Sequence, residues 1–103
     1  MQPATKALPF VKLRAGDQPL WRPECYWNVK STKDKVRDYR LGRKYARAAI
    51  AAMKADRNYG LIALILQDIV RISAIRTGKP GPLKLSPIAQ GFLSEIGEAA
   101  AHG

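Results

Sequence analysis

Hydrophobic residues in this chain recur with helical spacing over three segments, and they are preceded by a stretch without regular period. The first segment covers 33–57. Wound at ~100° per residue, it gathers Tyr39, Gly42, Ala46, Ala49, Ile50 and Met53 on one side. Lys33, Arg37, Arg40, Arg43, Lys44, Arg47 and Lys54 fall within an arc of roughly 120° away from them. Its second half is rich in alanine, the strongest helix former. Ser31 or Thr32 is the expected N-cap, with Asp34 in the first turn. A start nearer Asp38 is the alternative, because Val36 lies off the later apolar face. Asn58-Tyr59-Gly60 closes the helix, and Gly60 suits a left-handed cap.

The second segment, 61–75, is apolar nearly all round, interrupted by Gln67, Asp68, Arg71 and Ser73. That pattern predicts a core helix covered on several sides, against which the small-residue side of the first helix packs. Its length favours helix over buried strand. Two prolines and two glycines in 77–82 then break the chain. Ser86-Pro87 starts a third helix as an N-cap followed by proline at the first helical position. Ile88, Ala89, Phe92, Leu93, Ile96 and Ala99 form its apolar face. Gly91 and Gly97 weaken it, each by ~1 kcal/mol relative to alanine if solvent-exposed.

The N-terminal third differs. Residues 1–9 carry Pro3 and Pro9 and no period, which reads as a loose arm. Residues 10–14 and 25–29 are candidates for two short strands paired as a hairpin, with Ala15-Gly16-Asp17 as a turn. Between them Pro19 and Pro23 frame Trp21 and Arg22 and exclude a regular helix. The expected fold is all-α: a small three-helix domain with an irregular aromatic N-terminal segment, a short β-hairpin being the candidate pairing within it. One domain is expected over 1–103, with 1–32 as arm and aromatic segment and 33–103 as helical core.

Charge sharpens this picture. The 18 Lys+Arg against 8 Asp+Glu give a net +10, which predicts attraction to polyanions. Between Asp38 and Asp56 no acidic residue neutralises the basic stripe. Like charges at i,i+3 and i,i+4 each cost a helix a few tenths of a kcal/mol, so folding alone would favour interspersed acids. The bland alternative is a solvated face whose long side chains cover apolar surface. The 47% hydrophobic content argues against wholesale disorder. The single cysteine, Cys25, excludes an intrachain disulfide framework. No signal-peptide core and no bilayer-length apolar run occur, so the expectation is a cytoplasmic protein with no membrane role. The alanine-rich side of the first helix also offers little area for insertion.

Candidate chemistry is sparse. The only histidine, His102, is penultimate, which removes the usual general base and the usual zinc ligand. Cys25 has no placed histidine to form a nucleophile pair. Asp34 and Asp38 read as local charge balance, and Asp68 as a rim acid paired with Arg71 at i+3. No phosphate loop, dinucleotide fingerprint or metal spacing is present, and in Gly78-Lys79-Pro80-Gly81 the prolines remove backbone donors. The expectation is a non-enzymatic protein without cofactor or metal.

The leading functional expectation is a nucleic-acid-binding regulatory or accessory protein, with DNA ahead of RNA, using Lys33, Arg37, Arg40, Arg43, Lys44, Arg47 and Lys54 on backbone phosphates. Arg40, Arg43, Lys44 and Arg47 are its principal contacts. Arg71, Arg76, Lys79 and Lys84 are a second candidate region. The two helices about 58–60 have the spacing of a helix-turn-helix, but the second is too apolar to read a groove. The alternative is a protein-interaction module docking through Trp21, Arg22, Tyr26 and Trp27, residue types that dominate binding hot spots. If exposed, those aromatics would suit a protein partner or a homodimer. If buried beneath a continuous basic face, they favour nucleic acid.

Overall fold

The computed structural model describes residues 3–12, 25–78 and 82–102. They form an all-α domain of three long helices and one short turn of helix: α1 (Pro3–Lys6), α2 (Lys35–Asp56), α3 (Leu61–Thr77) and α4 (Pro87–His102). The long helices lie where hydrophobic periodicity places them. Helix α1 stands where a loose arm was expected. It forms because Asp56, at the far end of α2, accepts from the Ala4 and Thr5 amides (3.3 and 2.8 Å) and from the Thr5 hydroxyl (2.8 Å). Trp21, Arg22 and the turn at 15–17 lie outside the described residues.

The expected hairpin reduces, among the described residues, to one antiparallel bridge between Lys12 and Cys25. Lys12 N–H donates to the Cys25 carbonyl at 2.7 Å, and Cys25 N–H returns the bond at 2.8 Å. Asn28 N–H adds a bond to the Phe10 carbonyl at 2.8 Å. These bonds hold two irregular segments together and swing Phe10 and Trp27 inward. Their rings meet edge-on with centroids 5.6 Å apart, and Trp27 also meets Phe92 at 5.0 Å and Tyr45 at 6.5 Å. Edge-to-face pairs of this kind favour one packing over others.

The centre of the domain is the α2–α4 pair, not α3. Gly42 faces the α4 backbone so closely that a Cβ there would overlap the Ile88 carbonyl. Gly91 faces α2 in the same way, at the Tyr39 carbonyl. Each helix thus lacks a side chain where the other's backbone passes. Ala46 and Ala49, both fully buried, continue the close approach. The small-residue side of α2 therefore packs on α4, where the sequence pattern had directed it to 61–75. On α3 Leu61, Ile65 and Ile69, at i, i+4 and i+8, are fully buried in the core with Ser73 below them, and Ile62, Leu66 and Ile72 pack against it half-buried. Val70 and Ile75 are 52% and 70% exposed. Total apolar content overstated the burial of α3, because close packing of two glycine-bearing helices left it only one fully buried stripe of core to fill.

Helix ends also differ in detail. Asp34 is the N-cap of α2, accepting from Val36 and Arg37 N–H at 3.1 and 3.2 Å, so Ser31 and Thr32 are released for another task. The left-handed residue after α2 is Arg57 (φ 54°), whereas Gly60 (φ −88°) precedes α3. Gly78 (φ 64°) takes the left-handed cap of α3, a conformation that costs glycine little. Ser86 caps α4 as expected, accepting from Ala89 N–H at 3.3 Å.

Candidate nucleic-acid interface

The surface of α2 is shaped by where the few acidic residues go. Asp38 is fully buried. Its carboxylate accepts from the Ser31 and Thr32 hydroxyls, both at 2.6 Å, and from Thr32 N–H at 3.0 Å. The Ser31 and then the Thr32 hydroxyl bonds hold its pKa below the ordinary carboxylate value, against the opposing effect of burial. What local charge balance could not reveal is that Asp38 staples the entry segment onto α2. Asp56 does the same for α1. Burial raises its pKa, but bonds from Thr5 and Ala4 outweigh burial and leave the pKa lowered. Asp68 accepts from Tyr26 N–H at 2.7 Å and pairs with Arg71 at 3.3 Å, so the expected rim pair is present with a second tether beside it.

Glu95 and Glu98 act on the stripe itself. Glu95 accepts from Arg43 Nε at 3.1 Å and from Arg47 at 2.8 Å, and Glu98 also holds Arg43. These bonds raise the Arg43 pKa further above its ordinary value, Glu98 contributing most and Glu95 next. The two helices advance in common register, Tyr39 lying at Gly91 and Arg43 at Glu95. Two of the four principal contacts expected on α2, Arg43 and Arg47, are therefore charge-balanced against α4.

The rest of the stripe divides clearly. Arg37, Arg40, Lys44 and Lys54 are exposed, and among the described residues no carboxylate lies within ion-pair distance of them. Arg37, Arg40 and Lys44 span roughly 60° of the helix circumference over ~10 Å of its length. Lys54 stands further along, beyond the exposed Ala51. Lys33 does not belong to the helical stripe. It precedes the N-cap, with a left-handed backbone (φ 69°) whose N–H donates to the Ser31 hydroxyl at 3.2 Å.

All six described acids, Asp34, Asp38, Asp56, Asp68, Glu95 and Glu98, thus accept hydrogen bonds from the chain's own framework. Sequence reasoning missed this allocation. The i,i+3 spacing of Glu95 and Glu98 was visible, but only the α2–α4 register connects them to Arg43 and Arg47.

The aromatic candidates fare differently. Trp27 is 4% exposed and belongs to the core, whereas docking would need an exposed aromatic. Tyr26 is half-buried. No known protein family, curated protein or solved structure compared with the chain matches it. No helix among the described residues is long and apolar enough to cross a membrane.

Proposed function

We propose that this protein is a non-catalytic regulatory or accessory factor that binds nucleic acid through the outer face of α2. One observation carries the reading: the described acids are drawn into internal tethers and helix–helix pairs, leaving Arg37, Arg40 and Lys44 exposed together with no ion-pair partner among the described residues. Guanidinium and ammonium groups at i, i+3 and i+7 donate to successive phosphate oxygens and release condensed counterions on contact. Contacts of this kind supply affinity and orientation, not sequence reading. The close Gly42–Gly91 seam behind the face positions the helix that carries it. Lys54 and the exposed Lys33 extend the footprint at either end. The burial of Trp27 supports this reading over docking through the aromatic segment.

The test is titration with a duplex DNA of about two turns. Replacing Arg37, Arg40 and Lys44 together with alanine weakens binding roughly tenfold or more, with the helical circular dichroism unchanged. A folded triple variant that binds as tightly as the parent overturns the assignment.

A further inference from the structure

A separate cavity, lined by no residue of α2, lies between the 25–29 segment, the end of α3 and the entry to α4. Its volume is about 390 Å³, within the range of small-molecule sites. Each wall is fastened. The Lys12 bridge and the Tyr26–Asp68 bond fix the first. At the second, the Thr77 hydroxyl donates to the Ser73 carbonyl (2.7 Å) and accepts from Lys84 N–H (3.2 Å), which returns the chain beside the end of α3. The Ser86 cap fixes the third.

The lining combines apolar surface from Trp27, Val29, Ile72 and Leu85 with the two cations Arg76 and Lys84. Among the described residues no acidic side chain lines it. Ser73 is 6% exposed and lines the cavity, its carbonyl accepting from the Thr77 hydroxyl. A serine hydroxyl on the wall of a basic, partly apolar cavity is placed to donate to a ligand oxygen. Asn28 adds an amide donor.

We propose that this cavity binds a small organic phosphate monoester, its dianionic head between Arg76 and Lys84 and accepting from Ser73, its apolar body against Trp27 and Ile72. Two cations suit a dianion better than a single carboxylate, and the apolar walls distinguish the site from a bare phosphate patch.

Cys25 lines the same cavity and is the chain's single cysteine, so its alkylation by iodoacetamide reports occupancy. With the full chain at constant ionic strength, phenyl phosphate slows alkylation at least about fivefold, while neutral benzyl alcohol and benzoate protect less. The protection disappears in the Arg76→Ala/Lys84→Ala double variant, whose replaced side chains are both exposed. Ser73→Ala weakens phenyl phosphate binding about threefold or more. In wild-type amide NMR spectra, shifts induced by phenyl phosphate cluster at residues 28, 73, 76 and 84–86. Unchanged alkylation in millimolar phenyl phosphate overturns the proposal. So does equal protection by benzyl alcohol or benzoate, protection that survives in the double variant, or shifts confined to α2.

Discussion

Replacing Gly42 with alanine tests the packing on which the α2 face rests. The new Cβ would overlap the Ile88 carbonyl oxygen and lie 2.8 Å from both the Ile88 carbonyl carbon and the Phe92 nitrogen. All three are backbone atoms, so no side-chain rotation relieves the overlap. Restoring ordinary contact of ~3.5 Å to the carbonyl carbon and the nitrogen alone requires α4 to retreat by ~0.7 Å, and the closer carbonyl oxygen requires more. A gap of that size forfeits a quarter to a half of each lost contact around Phe92 and Ile88. Overpacking of a tight core costs about 1–3 kcal/mol, and a backbone–backbone clash belongs at the upper end. Alanine returns about 1 kcal/mol through helix propensity, leaving a net loss of about 2 kcal/mol. For a domain of this size the midpoint of thermal unfolding falls by roughly 8–16 °C. Gly97→Ala is the internal control, since its added Cβ meets nothing within 4 Å. It keeps the propensity gain alone, raising stability by up to ~1 kcal/mol. Circular dichroism melts of the two variants should therefore move in opposite directions. A Gly42→Ala protein as stable as wild type refutes the close α2–α4 approach.

Other consequences follow from the same arrangement. Because the Asp38 and Asp56 pKa values are lowered in the folded protein, their stabilisation is present above the unfolded carboxylate value near 4 and is lost as pH falls through the folded values. Urea midpoints measured from pH 6 downward should decline below about pH 4, and Asp38→Asn should flatten that decline. Trp27→Ala should destabilise by about 3–5 kcal/mol in urea melts, as for other buried aromatics; an unchanged midpoint would mean the ring is not core. Glu95→Gln should release Arg47 toward solvent, Arg43 staying with Glu98, and strengthen duplex binding, whereas weaker binding by that variant would contradict the account of the ion pairs.

Much of the secondary structure was legible because its determinants are local. Ser86-Pro87 carries its own N-cap and first-turn signal, and the alanine run in 46–55 has no competing conformation. The pairing of helices was not local. Gly91 reads in sequence as a flaw in a helix, and only Tyr39 passing over it explains why no side chain is there. The apolar run at 61–75 pointed to a central helix because composition counts every leucine and isoleucine alike, while the fold fully buries only the stripe through Leu61, Ile65 and Ile69. The basic stripe was visible as an arc, but its division was not. Arg43 and Arg47 lie on the edge nearest α4, and a neighbouring helix decides their state. Asp38 was read as balancing nearby cations; its partners Ser31 and Thr32 became available because Asp34 took the cap. Trp27 was decided by long-range bonds through Phe10 that no periodicity records.

The central claim is that Arg37, Arg40 and Lys44 meet phosphates while Arg43 and Arg47 remain with α4. Duplex affinity across a salt series, for the wild type and for the Arg37→Ala/Arg40→Ala/Lys44→Ala variant, tests it most directly. Three phosphate contacts at ~0.9 each predict that the slope of log K against log salt becomes shallower by ~2.7 in the variant. Parallel lines for the two proteins would contradict the assignment of this face.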